Sequence, residues 1–378
     1  MRITAFAFNR QEKAFFEKIA PHLHATLKTV YVNKKYAISK DALFALSKND
    51  LKEETEFKLA FEEARASRKK TLPEKIALKY YTLLTTHYLF MKYYTLLQRE
   101  KPDILMLWSG VTFRQSIAKK AAKALNIQSL FIENGLLPQT IVIDPVGVNY
   151  DNSLPKNADF YKNYRPPQKP LPQKLIPRAP KNADKFTQKA VSLPNRYIFI
   201  PFQVDYDTQL IVNSPHIANM RELFDMIEQV QKRLGDPSLH FVFKEHPSSL
   251  IEYPDLHERA KEHTNLHIIN GYPTQELIEK SLAVVTINST VGIEALLLEK
   301  KVIVLGNAFY AIEGIVKQAR TASQLVEILD ALQRWQPDAK LREKFLKYLY
   351  FEYLVPGTFE EDLPAQYAKI NAILKKLT

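Results

Sequence analysis

The sequence predicts an α/β chain built from two doubly wound domains in tandem. Three observations carry that expectation. Short apolar runs recur along the chain, each followed by a helical stretch. A proline- and lysine-rich segment divides the runs into two series. A length of 378 residues also exceeds what one core ordinarily organises.

In the first series "RITAFAF" and "TVYVN" read as strands, followed after a long helical stretch by "DILMLW" (103–108), a helix near 114–125 and "QSLFIE" (128–133). Alternation of this kind predicts a parallel sheet whose strand ends carry the binding loops. Residues 155–194 show no sustained apolar period and read as a linker. The second series runs "RYIFIPFQV" (196–204), a helix near 216–235, "HFVFKEHP" (240–247), "LHIIN" (266–270), a helix near 274–281, "AVVTINST" (283–290), a helix from about 291, and "KVIVLG" (301–306). The expected organisation is therefore a domain over 1–154, the linker over 155–194, a second domain over 195–340, and helices over 341–378 that pack back across both.

Composition removes several function classes. With no cysteine there are no disulfides, thiolate nucleophiles or zinc–thiolate sites. The opening "MRITAFAFNRQEK" reads as a first strand rather than a signal peptide, and no apolar run has the length of a spanning helix. A soluble or peripheral protein is expected. A formal charge of +12 calls for an anionic partner. Zinc-finger spacing, an RNP-type aromatic motif and a basic region with heptads are all missing, so nucleic acid is not that expected partner.

Candidate chemistry gathers at strand ends. Glu133 closes an apolar strand just before the turn-forming Asn134-Gly135, where a solvated surface carboxylate is the ordinary interpretation. Ser109 and Gly110 leave a strand and lead to a helix carrying Arg114, a turn able to hold an anionic or hydroxyl-rich ligand or to be an ordinary loop. In "FKEHPSS", Pro247 at the first turn of a helix would free amides for an anion, with Lys244 and His246 as nearby cations. In "TINSTVGIEALLLEKK", Ser289 and Thr290 suit a phosphate cradle or a helix cap. Gly292 permits close approach, and Glu294 sits where it can accept from ribose hydroxyls. No Gly-Lys-Ser/Thr follows that glycine, which removes a Walker loop and ATP hydrolysis. In "IPFQVDYDTQL", Gln203, Asp205, Asp207 and Gln209 alternate with period two, so a continued strand would aim all four to one side. A carboxylate there, paired with Glu133, would supply the two acids of retaining glycosyl chemistry.

Two doubly wound halves joined by a linker describe the GT-B architecture, in which two Rossmann-like domains face an inter-domain cleft. The stretches "ENGLLPQTIVIDPVGVNYDNSLP" (133–155), "PFQVDYDTQ" (201–209), "KEHPSS" (244–249) and "NSTVGIEALLLEKKVIVLG" (288–306) together resemble the bacterial capsule-polysaccharide β-Kdo transferases, most of all their shorter single-module type. They run in family order over roughly half the chain. The resemblance implies a retaining enzyme that needs no metal or cofactor and takes CMP-β-Kdo as donor. The acceptor it implies is a phosphatidylglycerol-type lipid, on which the oligo-Kdo linker of the capsule starts. It makes Asp207 the nucleophile and Glu133 the acid/base, with Asp205 the alternative nucleophile because "QVDYD" lacks the glycine of the family pattern. Lys244, His246 and Pro247 correspond to the donor phosphate site, Ser289 and Thr290 to a second phosphate contact, Glu294 to a ribose ligand and Gln203 to the donor side. Asn134, Gly135, Ser109, Gly110 and Arg114 remain for the acceptor or the Kdo carboxylate.

An anionic lipid acceptor implies a peripheral enzyme on the cytoplasmic face of the inner membrane, with other capsule-assembly proteins as partners. The tyrosine-rich stretch 75–99 is apolar most of the way round, which predicts burial rather than a membrane face; Tyr80, Tyr81, Tyr88, Tyr93 and Tyr94 would suit an interface if exposed. Two other readings stay open. One is another CMP-sugar transferase of the same fold, sialyltransferase-like, and the other is a non-catalytic protein of capsule assembly or export.

Overall fold

A computed structural model describes residues 1–33, 36–66, 68–175 and 192–377. Among these, twelve strands form two sheets: β1 (Arg2–Ala7), β2 (Thr26–Tyr31), β3 (Ile104–Trp108), β4 (Gln128–Asn134), β5 (Thr140–Asp144), β6 (Tyr197–Pro201), β7 (His240–Lys244), β8 (Leu266–Ile268), β9 (Ala283–Thr286), β10 (Lys301–Val304), β11 (Val316–Gln318) and β12 (Val355–Pro356). The residues divide into two compact units, Met1–Ser153 with Tyr353–Thr378, and Leu154–Glu352.

The first unit has strand order β12-β5-β4-β3-β1-β2. β1 to β4 are parallel; β1 and β3 are buried along nearly their whole length, as strands covered on both faces are, whereas β2 at the sheet edge buries only Val30. The wholly parallel sheet read from the sequence needs correction here. β5 runs antiparallel to β4, and β12 antiparallel to β5, so this sheet is mixed. The short β4–β5 connection is the reason, because it has no room for a crossover helix. Gly135 makes that turn possible: a β-carbon there would lie 2.0 Å from the Thr140 carbonyl oxygen.

At the far end of β5, the fully buried Asp144 organises the loop that follows. It accepts from the Val146, Gly147 and Ser153 amides at 2.7–3.1 Å and from the Tyr353 hydroxyl at 2.9 Å. The chain returns to this unit at its end, where Tyr367, Ile370 and Leu374 of helix Pro364–Lys375 join the core of β1, β3, β4 and β5.

Helix Leu72–Glu100 dominates the unit's helical layer. Thr71 and Glu74 form a capping box at its start, and the left-handed Lys101 stops it. It is not buried as the sequence predicted. Leu89, Phe90, Tyr93, Leu96 and Leu97 are enclosed, whereas Leu72, Ile76, Tyr80, Tyr81, Leu84 and Tyr88 are exposed.

The second unit has order β11-β10-β9-β6-β7-β8, all parallel. Counted from β6, the spatial order is 3-2-1-4-5-6, that of a dinucleotide-binding fold. The order reverses between β6 and β9. Helix Met220–Leu234 covers one face with Leu223, Phe224, Ile227 and Val230. The segment read as a linker is not featureless. Ala158–Asn163 is a helix whose Tyr161 is buried against Phe345 and Tyr348, while 176–191 lie outside the described residues. Helix Ala339–Lys347 belongs to this second unit and Pro364–Lys375 to the first, so the C-terminal segment is shared between them.

Candidate functional site

The reversal point of a doubly wound sheet leaves a crevice at the carboxyl ends of its strands, because successive helices cross to opposite faces there. In the second unit the loops after β9, β6 and β7 meet along this edge, since those strands are neighbours. They carry Asn288-Ser289-Thr290, Gln203 to Asp207, and Lys244 to Pro247 respectively. Most residues singled out in this half of the sequence thus lie on one sheet edge.

Their individual roles differ from the sequence expectation in instructive ways. β6 ends at Pro201, so the period-two pattern of "QVDYD" is not extended chain. The Asp207 amide bonds back to the Val204 carbonyl at 2.8 Å, and the four side chains diverge. Gln203 turns inward to Asn288. Asp205 is buried and accepts from the Met220 amide at 2.8 Å, at the start of helix Met220–Leu234. Burial raises its pKa, offset in part by that amide. One oxygen of Asp205 thus holds the end of this helix. Asp207 is half-exposed and caps helix Thr208–Asn213 through Oδ1, which accepts from the Gln209 amide at 2.9 Å.

Pro247 does not begin a helix. It lies in a turn closed by Ser249 N donating to the His246 carbonyl at 3.0 Å, and the next helix starts at Pro254. The Ser248 amide donates to His246 Nδ1 at 3.1 Å, which fixes the hydrogen of the neutral ring on Nε2. That orientation makes Nε2 a donor toward an anion in either charge state. Lys244 donates to the Tyr272 carbonyl, and burial lowers its pKa to about 8. Between them the sequence reading passed over Glu245. It is buried, accepts from His257 Nε2 at 2.6 Å and from Asn270 Nδ2 at 3.3 Å, and its own amide donates to Asn270 Oδ1 at 2.9 Å. This set pins the start of the turn; an acid between two basic residues was the only sign of it in the sequence.

After β9, Ser289 Oγ accepts from the Val291 amide at 3.2 Å and keeps its own hydrogen to donate. Thr290 stands at the N-cap of helix Val291–Leu297 without a side-chain cap bond. Glu294 is half-buried within the helix's first turns. The close approach permitted by Gly292 is that of Tyr310, whose hydroxyl donates to the Ser289 carbonyl at 2.5 Å.

The first unit offers a separate set of groups. Glu133 is the penultimate residue of β4, half-buried, with Oε1 accepting from the Asn134 amide at 2.8 Å and from Asn134 Nδ2 at 3.1 Å. The Ser109 amide donates to the Ile132 carbonyl at 2.6 Å, so the Ser109-Gly110 turn and Glu133 share one end of the sheet. Ser109 and Gly110 already have a protein partner: the Gly110 amide donates to Gln115 Oε1 at 2.9 Å and Ser109 Oγ lies 3.4 Å from the same atom. Gly110 has φ +75° and stands against the Phe131 ring, 2.3 Å from where a β-carbon would be, so the turn is set by packing as well. Arg114 turns to the ends of β1 and β2, donating to Asn33 Oδ1 at 2.8 Å and lying over the Phe8 ring. Glu133 thus stands beside a turn whose amide and hydroxyl are bound to Gln115, while Glu12, a second carboxylate at this edge, is buried and accepts from the Phe8 amide at 2.7 Å.

Comparison with known proteins gives the family and the fold. The family described as "Capsule polysaccharide biosynthesis protein" matches residues 103–185 and 178–359. Protein FixF of Sinorhizobium fredii (strain NBRC 101917 / NGR234) is 38% identical over 71% of this chain, which spans 64% of FixF. Capsule polysaccharide export protein KpsS of Escherichia coli is 28% identical over 64% of this chain and 75% of its own length. Among solved structures, Thermosulfurimonas dismutans KpsC, a β Kdo 2,7 transferase, shares the fold over 100% of both chains, with TM-score 0.51 and 15% identity. The chain belongs to the capsule polysaccharide biosynthesis protein family.

Proposed function

We propose that this protein is a retaining glycosyltransferase of capsule assembly that takes Kdo from CMP-β-Kdo and adds it to a lipid-anchored acceptor. The observation that supports this most directly is the meeting of the Ser289-Thr290, Asp207 and Lys244–His246 loops at the reversal point of the second sheet. Membership of the capsule family and a fold shared with a β Kdo 2,7 transferase support the substrate class.

In the first step an Asp207 carboxylate oxygen attacks the anomeric carbon of Kdo, and the bond to the CMP phosphate oxygen breaks. CMP leaves as an anion. Protonated Lys244, His246 Nε2–H and the Ser289 hydroxyl would stabilise the charge that develops on its phosphate. In the second step the acceptor oxygen attacks the same carbon, Glu133 takes the hydroxyl proton, and the bond to Asp207 breaks to regenerate the carboxylate. Two inversions give retention. Gln203 acts from behind, holding the loops rather than touching the donor.

A lipid-anchored acceptor would bring the protein to the cytoplasmic face of the inner membrane as a peripheral enzyme. Among the described residues no helix is long and apolar enough to cross a membrane.

Intact-protein mass spectrometry after incubation with CMP-β-Kdo, without acceptor, tests the reading. A Kdo-sized increase on wild type that is missing in Asp207→Asn is the expected result. An increase that persists in the variant would overturn the nucleophile. Failure to bind CMP at all would overturn the donor, and the non-catalytic export role suggested by the name of KpsS would then take precedence.

A further inference from the structure

Helix Leu72–Glu100 is amphipathic the wrong way round over its first half. Leu72, Ile76, Tyr80, Leu84 and Tyr88 recur every fourth residue, and all five are exposed, Leu72 and Leu84 by about 70%. At 100° per residue this stripe, with Pro73, Ala77, Tyr81, Leu83 and the half-buried His87 within it, covers about half the helix circumference and carries no Lys, Arg, Asp or Glu. The inward side instead holds Thr82 and Thr86, both buried. A solvated helix face ordinarily shows the opposite pattern, and a contiguous exposed apolar surface of this kind marks something that covers it.

The charges around the stripe say what. Lys79 borders one edge, Lys75 stands further round that side towards Thr82 and Thr86, and Arg68, Lys69 and Lys70 precede the helix. Against these stand Glu74, which pairs with Arg68, and Glu63, which pairs with Lys75 at 3.3 Å. From Arg68 to Tyr88 there are five cations and one anion. Three tyrosines, Tyr80, Tyr81 and Tyr88, put rings with polar tips on the same face, the combination favoured at a membrane–water boundary. Tyr81 also lines a cavity of about 500 Å³ walled by Leu78, Leu89, Phe113, Arg114 and the Lys58–Glu62 pair. Apolar surface, interfacial rings and a cationic border match an anionic bilayer better than a protein partner, which would need no such border.

We propose that the first half of helix Leu72–Glu100 lies in the plane of an anionic lipid bilayer and docks the protein on it through this stripe. The inference deepens the lipid-acceptor reading by naming the surface that meets the membrane, but its test is independent of that reading.

The full chain is sedimented with phosphatidylcholine vesicles, with and without phosphatidylglycerol, and no donor or acceptor sugar is present. Wild type is expected in the pellet with phosphatidylglycerol vesicles, less so at high salt. Ile76→Glu/Leu84→Glu should lower its partition by about tenfold or more, and Lys75→Glu/Lys79→Glu should remove the dependence on phosphatidylglycerol. Both replace exposed side chains, so an unchanged melting temperature and unchanged CMP binding verify the fold. Equal pelleting of wild type and Ile76→Glu/Leu84→Glu, or no pelleting of wild type, overturns the proposal. So does a wild-type dimer that this variant breaks without any vesicle binding, since a second copy would then cover the stripe.

Discussion

Gln203 and Asn288 clasp each other where the second sheet reverses its strand order. Gln203 Nε2 donates to Asn288 Oδ1 at 2.8 Å, and the Asn288 amide donates back to Gln203 Oε1 at 3.1 Å. Asn288 Nδ2 reaches the carbonyls of Gln209, at 3.0 Å, and Asn213, at 3.3 Å. Both side chains are buried. Their bonds tie the loop bearing Asp207 to the loop bearing Ser289, so the position of one group is set by the other.

Asn288→Ala should therefore destabilise the protein by about 1–3 kcal/mol, because Gln203 Nε2 loses its partner in a buried place. Asn288→Asp should be no milder, since a carboxylate cannot donate to the two carbonyls. Urea unfolding gives the free energies, and CMP affinity should fall in both variants. Wild-type stability in either one would mean that the clasp is not what holds these loops.

The two aspartates of "QVDYD" should separate cleanly. Asn is as good an N-cap as Asp, so Asp207→Asn keeps helix Thr208–Asn213 and removes only the nucleophile. Stability should stay within about 0.5 kcal/mol of wild type while transfer disappears. Asp205→Asn should keep transfer, since Asn Oδ1 can still accept from Met220. Because the folded state raises the Asp205 pKa, this group's contribution to stability is complete below the unfolded value. It is lost as pH rises through the folded one. The variant should lack that decline in an acid-range unfolding series.

Those aspartates also mark the limit of what was legible in the sequence. Apolar runs such as "ILMLW" and "AVVT" announce buried parallel strands because both faces are covered, and the strand-end loops follow from the alternation. "QVDYD" has the same alternation without being a strand. What decides its shape is the Met220 amide 15 residues away and Asn288 85 residues away, neither visible to a local pattern. "TIVID" escaped notice as a strand because its partner lies across a tight turn rather than a helix. The half-exposed helix Leu72–Glu100 was misread for a related reason. Apolar residues most of the way round predict burial only if enough neighbours are present, and its first half has too few.

Lys244 should give CMP binding a pH dependence. An anion needs the ammonium form, and burial has brought this lysine to about 8 from an ordinary 10.5. Above about pH 8 affinity should weaken by up to tenfold per unit, measured over roughly pH 7–10 where the CMP phosphate is fully ionised. Lys244→Met should bind more weakly at neutral pH and show no such slope. Stability has the opposite sign. The fold favours the neutral amine, so the contribution of Lys244 rises with pH from about 8 towards 10.5 and is lost as pH falls through 8. A flat wild-type binding profile would mean that Lys244 does not meet the phosphate.

Gly292 and Tyr310 should prove coupled. Gly292 has an ordinary helical backbone, so alanine there ought to help by propensity alone. A β-carbon would, however, stand 2.4 Å from the Tyr310 hydroxyl oxygen and 2.7 Å from the ring. The ring is fully enclosed, and its hydroxyl holds the Ser289 carbonyl, so it cannot yield without moving the Asn288–Thr290 turn. Gly292→Ala should therefore destabilise by about 1–3 kcal/mol, as overpacking does, and weaken CMP binding. Tyr310→Leu should destabilise as well, through a lost bond and a cavity. Combined, the two should be less harmful than their sum by about 1 kcal/mol, because removing the ring makes room for the methyl group. Strict additivity in the urea midpoints would mean that the ring is not what reserves position 292 for glycine.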